Sequence, residues 1–363
     1  MIEKRLLAQI DWILISTTLV LALVGIASIY SATYLEEPSL YQRQTYWLLI
    51  GAAIMLPVVI VDYSILDRFA YVIYAASILT LIFALIFGRT VGGAQRWISI
   101  GFVSIQPSEF AKLSFILALS KHLSTKDVSR KGLGLEQLIV PSALFVIPFL
   151  LVAKQPDLGT ALIFFFVFVS MILVVKIKTK ILVPSAAAFL AMIPIGWRFL
   201  KVYQRARLIS FIDPTADPLG SGYHILQSKI AIGSGRFFGK GFTQGTQGSH
   251  LFLPAHHTDF IFPTFAEEWG FAGGIVVLAL FCILITRGLG VAAAGKDRFS
   301  FLLAIGITAL FFWHMAINAG MVMGLLPVVG VPMPFLSYGG SFLLTMLLSS
   351  AILMNISMRR YIF

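Results

Sequence analysis

Apolar residues run along this chain in long, nearly unbroken stretches, and polar residues gather between them. Ten stretches approach or reach the about 20 residues that a helix needs to cross a bilayer. They lie at about 11–30, 44–61, 69–87, 107–121, 138–153, 158–176, 181–200, 264–286, 300–323 and 337–357. The runs at 107–121 and 138–153 are short, which suits helices that tilt little or pack inside a bundle. The pattern predicts an all-α, polytopic membrane protein of about ten transmembrane helices. It forms a single transmembrane domain over 1–363, with a large polar insertion, 201–263, between the seventh and eighth helices. No fixed-period repeat or inverted pair of halves is visible.

Composition agrees with this pattern. Hydrophobic residues make up 58% of the chain and charged residues 12%, and the mean hydropathy is +0.92. Soluble chains carry about 25% charged residues, so a soluble domain is excluded. Lys4 and Arg5 precede the first run and Ser31-Ala32 follows it, the outline of a signal peptide. Asp11 interrupts the charged region and the run is long, so a retained helix is expected. Cys282 is the single cysteine, and there is no disulfide framework.

Charge sets the expected orientation. With the N-terminus in the cytoplasm, fifteen Lys and Arg fall on the cytoplasmic side: Lys4, Arg5, Arg68, Lys121, Lys126, Arg130, Lys131, Lys176, Lys178, Lys180, Arg287, Lys296, Arg298, Arg359 and Arg360. The short outer loops receive only Arg43, Arg89, Arg96 and Lys154. Short cytoplasmic loops are enriched in these residues, so both termini read as cytoplasmic and the insertion as extracytoplasmic. The net charge of +11 is in part this anchoring pattern and does not point to nucleic acid.

The insertion is punctuated by turn signals, among them Asp213-Pro214, Asp217-Pro218 and many glycines between Gly220 and Gly248. Between them, 223–232 reads as a short amphipathic helix along the outer leaflet surface. The stretch Gly233–Gly241 fails as a phosphate-binding Walker loop. Five residues separate Gly233 from Gly239, and Gly241 follows Lys240 where Ser or Thr is required. Its free backbone N–H groups, with Arg236 and Lys240, could still hold a phosphate.

Two helix starts on the outer side share a design. "QPSEFAK" (106–112) puts Pro107 at the first helical position and Glu109 in the first turn. Lys112 shares a face with Glu109 and sits a turn inside the membrane, where a lone charge costs roughly 2.5–3.5 kcal/mol. It therefore needs a partner or a role. "KQPDLGT" (154–160) repeats the arrangement with Pro156 and Asp157. Helix capping explains each start alone; together they bring two carboxylates and two lysines to one membrane boundary. Outward-facing Arg43, Arg96, Arg205, Arg207, Lys229, Arg236 and Lys240 add a basic surface. It suits lipid headgroups or a lipid carrying a phosphorylated head, because the arginine fork matches phosphate oxygens.

"HHTDFIFPTFAEEWG" (256–270) carries His256, His257, Asp259, Glu267 and Glu268 in a chain with only 16 acidic residues. The adjacent histidines do not make a helical metal pair, and a His-x-Asp cluster lacks a third ligand of readable geometry. Thr258 or Asp259 could cap a helix. Pro263 is the better first helical residue, which leaves Asp259 before the helix, beside a basic loop, where a general base could act.

These stretches resemble a known family. "GAQRW" (93–97), "QPSEFAK", "KQPDLGT", "DPLGSGYHILQSKIAIGSG" (217–235), "FFGKGFTQGTQ" (237–247), "FLPAHHTDFIF" (252–262) and "NAGMVMGLLPVVGVPMPFLSYGGS" (318–341) are similar to the SEDS proteins of shape, elongation, division and sporulation. The "LPVVGVPMPF" form resembles the elongation members more than the division members. The resemblance implies a peptidoglycan glycosyltransferase that polymerises lipid II on the outer face of the bacterial cytoplasmic (inner) membrane, consuming undecaprenyl-diphosphate-linked glycan. It implies a class B penicillin-binding protein as partner. It puts the family's catalytic aspartate on Asp259 and its buried Glu–Lys pair on Glu109 and Lys112. With Arg43, Arg96, Asp157, Arg205, Lys229 and Lys240, that pair makes up the expected substrate-binding set. Pro263-Thr264 stand where relatives commonly have Ala-Val, a departure that bears on the approach angle of the helix. Asp259 could serve as the base or as a ligand of a divalent cation, Mg or Mn, bridging to the diphosphate. The residues alone also admit a lipid flippase or a non-catalytic scaffold for the penicillin-binding protein.

Overall fold

The computed structural model describes residues 9–35, 37–91, 94–101, 103–125, 132–181, 200–217, 220–245 and 257–360, with scattered positions of 183–198. His256, Lys4, Arg5, Lys126, Arg130 and Lys131 lie outside the described residues. Helices dominate: α1 (Trp12–Thr33), α2 (Ser39–Ile60), α3 (Tyr63–Phe87), α4 (Pro107–Ser124), α5 (Leu135–Lys154), α6 (Leu158–Val174), α7 (Val202–Ile212), α8 (Ser221–Ser234), α9 (Ile261–Ala293), α10 (Arg298–Val322) and α11 (Gly340–Arg359). Seven of these are long and apolar enough to cross a membrane, and α6 is a shorter apolar helix. The chain is a membrane-integral protein. Within 181–198 the described positions, such as Val183, Ala187 and Trp197, are helical.

The scarce acids start helices. Asp11, Asp62, Asp157 and Asp297 each accept a backbone N–H of the first turn, from Leu14, Ser64, Thr160 and Ser300. Each satisfies an N–H that has no partner within the helix. α3 therefore begins at Tyr63, earlier than its apolar run alone predicts. α4 opens on Pro107 as expected. α6 opens on Leu158 with Asp157 as its cap, so Pro156 precedes the helix, contrary to the expectation that it starts it.

α4 and α11 are buried along nearly their whole length and form the centre of the bundle. α11 packs on α2, α3 on α4, and α9 on α10. A central helix can carry charge, which α4 does with Glu109 and Lys112, both buried. The outer helices turn Leu49, Leu56, Leu79 and Val276 away from the protein. In a membrane this places apolar side chains against lipid.

Three features depart from the sequence expectation. Residues 89–105 form a small antiparallel sheet, β1 (Arg89–Val91), β2 (Ala94–Ile100) and β3 (Val103–Ile105), in that order. Arg89 pairs with Trp97 and Ile98 with Ile105. The run "TVGGAQRWISIGFVSI" is rich in β-formers and has a glycine turn between β2 and β3, so a hairpin accounts for it better than a loop. Second, α8 does not lie only on a surface. Ile225, Ser228 and Ala231 are buried, α8 packs on α9, α7 and α10, and Ser228 donates to Val322 O at 2.6 Å.

Third, α9 begins at Ile261, before Pro263, and is broken at Gly270, whose φ of 66° is in the left-handed region. The loop 236–241 docks at the break. Lys240 N donates to Glu267 O and Gly241 N to Glu268 O, both at 3.0 Å, while Phe271 N donates to Arg236 O at 2.9 Å. A side chain at Gly270 would collide with the backbone of Phe237 and Gly239, so glycine is required.

Candidate functional site

A cavity of about 1490 Å³ opens at the end of the bundle where α4, α6 and α9 begin and α10 ends. Its lining mixes apolar Tyr46, Trp47, Ile50 and Leu162 with charged Arg43, Arg89, Arg96, Arg207, Asp157 and Asp259.

Asp259 sits in the turn before α9, partly exposed to the cavity. The segment 323–339, broken by Gly324, Pro327, Gly330, Pro332 and Pro334, cannot continue α10 and folds back over this turn. It grips the turn through the backbone. Tyr338 N donates to His257 O at 2.9 Å and Ser337 Oγ to Thr258 O at 2.7 Å. Asn318 Nδ2 donates to Asp259 O at 2.9 Å. Gly330 has φ +74°, and a Cβ there would come within 3.2 Å of Asp259 Oδ2. Glycine therefore leaves room for the carboxylate as well as for the turn. Burial pushes the Asp259 carboxyl up to about 6. Arg96 and Arg207 draw it down in part, and Asp157 raises it.

Arg96, carried on β2, reaches Asp157 Oδ2 with Nη1 at 3.1 Å. Asp157 is held in turn by Thr160 N and by Gln106 Nε2, each at 3.1 Å. The two Gln-Pro helix starts are thus joined directly. Glu109 lines the cavity and pairs with Lys112 at 2.9 Å. Lys112 lies behind it, sealed from solvent, with Nζ 2.9 Å from His314 Nε2 and 5.4 Å from the Phe342 ring centre. At Tyr338, burial raises the pKa of the hydroxyl and the charge of Arg43 lowers it.

Of the expected residues, Arg43, Arg96, Glu109, Asp157 and Asp259 line the cavity, and Lys112 supports it. Three do not belong to it. Arg205 turns away and donates to Arg198 O at 2.9 Å. Lys229 is exposed on α8, with its end against Gly324. Lys240 is bound to Glu267 in the break of α9, so it is a structural counter-ion. The remaining acid of the 256–270 stretch, Glu268, accepts from Ser31 in α1.

Arg207 was absent from the expected set, although helical spacing could have found it. Tyr203, Gln204, Arg207 and Leu208 share one face of α7 and all line the cavity. Arg205 is on another face. Asn318 opens the 318–341 motif but was given no role there, and His314 gave no signal beyond lying one turn from it on an apolar helix.

The FtsW/RodA/SpoVE family model, described as "cell cycle protein", matches residues 9–362. The chain belongs to this family. Curated relatives include MrdB of Escherichia coli K12, a peptidoglycan glycosyltransferase 37% identical over 96% of this chain and 95% of its own. Another is RodA of Treponema pallidum, 32% identical over 98% and 99%, and a third is stage V sporulation protein E of Bacillus subtilis, 36% identical over 96% of each. Among solved structures, a chain from work on the coordination of polymerisation and crosslinking by a peptidoglycan synthase complex superposes with a TM-score of 0.85. It is 30% identical and the match covers 98% of this chain and 99% of that one. RodA of Thermus thermophilus superposes at 0.73, 27% identical over 97% and 98%. The FtsW/RodA/SpoVE membership agrees with the resemblance carried by the motifs, whose segments 106–112, 154–160, 257–262 and 327–341 surround the cavity.

Proposed function

We propose that the cavity is the polymerisation site of a peptidoglycan glycosyltransferase and that Asp259 is its general base. The chain is a peptidoglycan glycosyltransferase of the FtsW/RodA/SpoVE family. One observation carries the reading of the site. A carboxylate raised to about 6, close to where a base is most effective, faces a cavity lined by several arginines and by apolar side chains.

The chemistry follows from that lining. The donor is the growing glycan, carried on undecaprenyl diphosphate, and the acceptor is lipid II, whose terminal sugar presents a 4-hydroxyl. Asp259 accepts the hydroxyl proton as the oxygen attacks the anomeric carbon. The new C–O bond forms as the bond to the diphosphate breaks, which inverts an α-linked donor into a β-1,4 linkage. Undecaprenyl diphosphate leaves with the electron pair. Arg96 and Arg207 stabilise its developing charge, and the apolar residues of the lining accommodate the prenyl chain.

Among the described residues no three His, Cys, Asp or Glu side chains converge, so a metal held by the protein alone does not fit. A divalent cation such as Mg or Mn would be held by Asp259 only together with the substrate diphosphate. It would neutralise diphosphate charge. The Lys and Arg distribution supports a site on the outer face of the cytoplasmic membrane, with both termini inside. The structural relative from a peptidoglycan synthase complex supports a class B penicillin-binding protein as partner during cell elongation.

The test is lipid II polymerisation in detergent by the purified protein with its partner, wild type against Asp259→Asn, with and without chelator. The expected loss is about 10²–10⁴-fold with partner binding retained. Normal strand synthesis by Asp259→Asn would overturn the assignment. A flippase would need two leaflets and make no strands under these conditions.

A further inference from the structure

Two side chains of α10 fasten the cavity's two halves to one rigid element. His314 and Asn318 lie one turn apart, so both project from the same face. Both are buried in the bundle. Asn318 Nδ2 donates twice, to Val331 O at 2.7 Å and to Asp259 O at 2.9 Å. A single amide group thus ties the turn carrying the base to the segment carrying Gly330, whose backbone leaves room for the carboxylate. His314 holds the same segment one residue further on. Its Nδ1 lies 3.1 Å from Pro332 O and its Nε2 lies 2.9 Å from Lys112 Nζ.

The hydrogen atoms follow from donor and acceptor chemistry. A lysine ammonium has only donors, so His314 Nε2 accepts. The proton is then on Nδ1, which donates to Pro332 O. Lys112 thereby sets the tautomer that grips the segment, while Glu109 balances its charge. Asn318 is oriented by the same logic. Two carbonyls face its Nδ2, and Oδ1 is buried without a partner among the described residues. An amide with one unsatisfied end is costly in a core. It is understandable if the two bonds at the other end serve geometry rather than stability.

We propose that Asn318 is the positioning residue of Asp259, and that His314, with its tautomer set by Lys112, is its companion on the facing segment. This rests on Asp259 acting as the base. General-base catalysis depends on hydrogen-bond reach to the acceptor hydroxyl, and small misplacement of a reacting group is costly. The contacts are to backbone oxygens, so substrate affinity is not their target.

The experiment uses the full chain with its partner and measures lipid II polymerisation as kcat and KM separately, normalised to folded protein. Asn318→Leu, nearly isosteric, removes both donors. Its kcat is expected to fall about 10–100-fold with KM within twofold. Asn318→Ser, which keeps one hydroxyl donor, is expected to recover part of the loss. His314→Asn can keep a donor at the Nδ1 position and is expected to exceed His314→Gln, which cannot, by several-fold in kcat. A purely structural role predicts equal losses tracking the folded fraction, with no rescue by the matched donor. That result, or normal kcat in Asn318→Leu, overturns the proposal. If Asn318→Leu fails to fold, normal kcat in both Asn318→Ser and His314→Gln does so. Full activity of Asp259→Asn would instead remove the base assignment beneath it, so the two failures are distinguishable.

Discussion

At the end of the bundle away from the cavity, Arg359 uses its whole guanidinium. Nε donates to Asp62 Oδ2, Nη1 to Val59 O and to Asn355 Oδ1, and Nη2 to Ile60 O. Asn355 adds bonds to Val58 O, Val59 O and Val61 O. These carbonyls end α2, where the last turn has no intrahelical donors, so Arg359 and Asn355 close a helix end. At the cavity end the arginines are used sparingly. Arg96 makes one ion pair, to Asp157. Arg207 makes none among the described residues and lies over the Tyr203 ring at 5.8 Å. Saturated donors mark stability and spare donors mark a site for an anion. The distinction lies in geometry, since both ends use the same residue type.

The strongest way to break this comparison is to remove one arginine from each end. Arg207→Met is expected to lower polymerisation by about 10²–10³-fold, as for loss of a charge-stabilising donor, with thermal stability unchanged. Arg359→Met is expected to cost about 1–3 kcal/mol of stability and leave kcat of the folded fraction unchanged. Melting in detergent and single-turnover polymerisation, measured on both variants, separate the two. If both lost only stability, the cavity arginines would be fasteners too.

The sequence exposes one kind of information and hides the other. The membrane helices were legible because lipid demands long apolar runs; of the acids that cap them only Asp157 was legible, while Asp11, Asp62 and Asp297 stand in no stretch that marked them as caps. Asp259 stood out because Pro263 to Glu268 could be read as helix. What failed were choices that depend on which way a side chain points. Arg205 and Arg207 are equally basic, and only the face of α7 tells them apart. Lys240 looked like a phosphate ligand because nothing local reveals the break at Gly270 that it neutralises. The small sheet was missed because two glycines and a short alternation look much like a loop. Asn318 acts through the backbone oxygens of Val331 and Asp259, and its place at the head of the 318–341 motif does not reveal those contacts.

Acidity sharpens the comparison next. Asp259 is raised to about 6, by burial first. Below that pH it is protonated and cannot accept a proton; above it, it is ionised. Polymerisation is expected to rise with pH through about 6 and to fall roughly tenfold per pH unit on the acid side. A folded pKa above the unfolded value means that this group's contribution to stability is full at low pH. That contribution is lost as pH rises through about 6, the opposite sign to a salt-bridged carboxylate. Activity and stability should therefore move in opposite directions over this window. In Arg207→Met the midpoint should move up, because Arg207 draws the carboxyl down. A midpoint that stayed put would mean that the arginine does not act on the base.

The smallest effects belong to the lysines that sequence alone assigned to substrate. Lys229 is exposed on α8 and does not line the cavity, so Lys229→Ala should change stability by less than about 0.5 kcal/mol and leave polymerisation within twofold. Lys240 differs because its partner Glu267 is fully buried. Lys240→Met leaves that carboxylate without its cation, and the expected cost is about 1–3 kcal/mol of stability. The turnover of folded enzyme should stay near normal, since neither residue lines the cavity. Measured salt dependence makes the test stricter. If Lys240 touched the diphosphate, its loss would raise KM for lipid II and weaken the dependence of KM on ionic strength. If it is only the counter-ion of Glu267, KM stays the same, and Lys240→Met combined with Glu267→Gln regains stability that Lys240→Met alone loses. Recovery in the double variant is the result expected of a saturated pair, and it would assign the break in α9 to the same class as the Arg359 end.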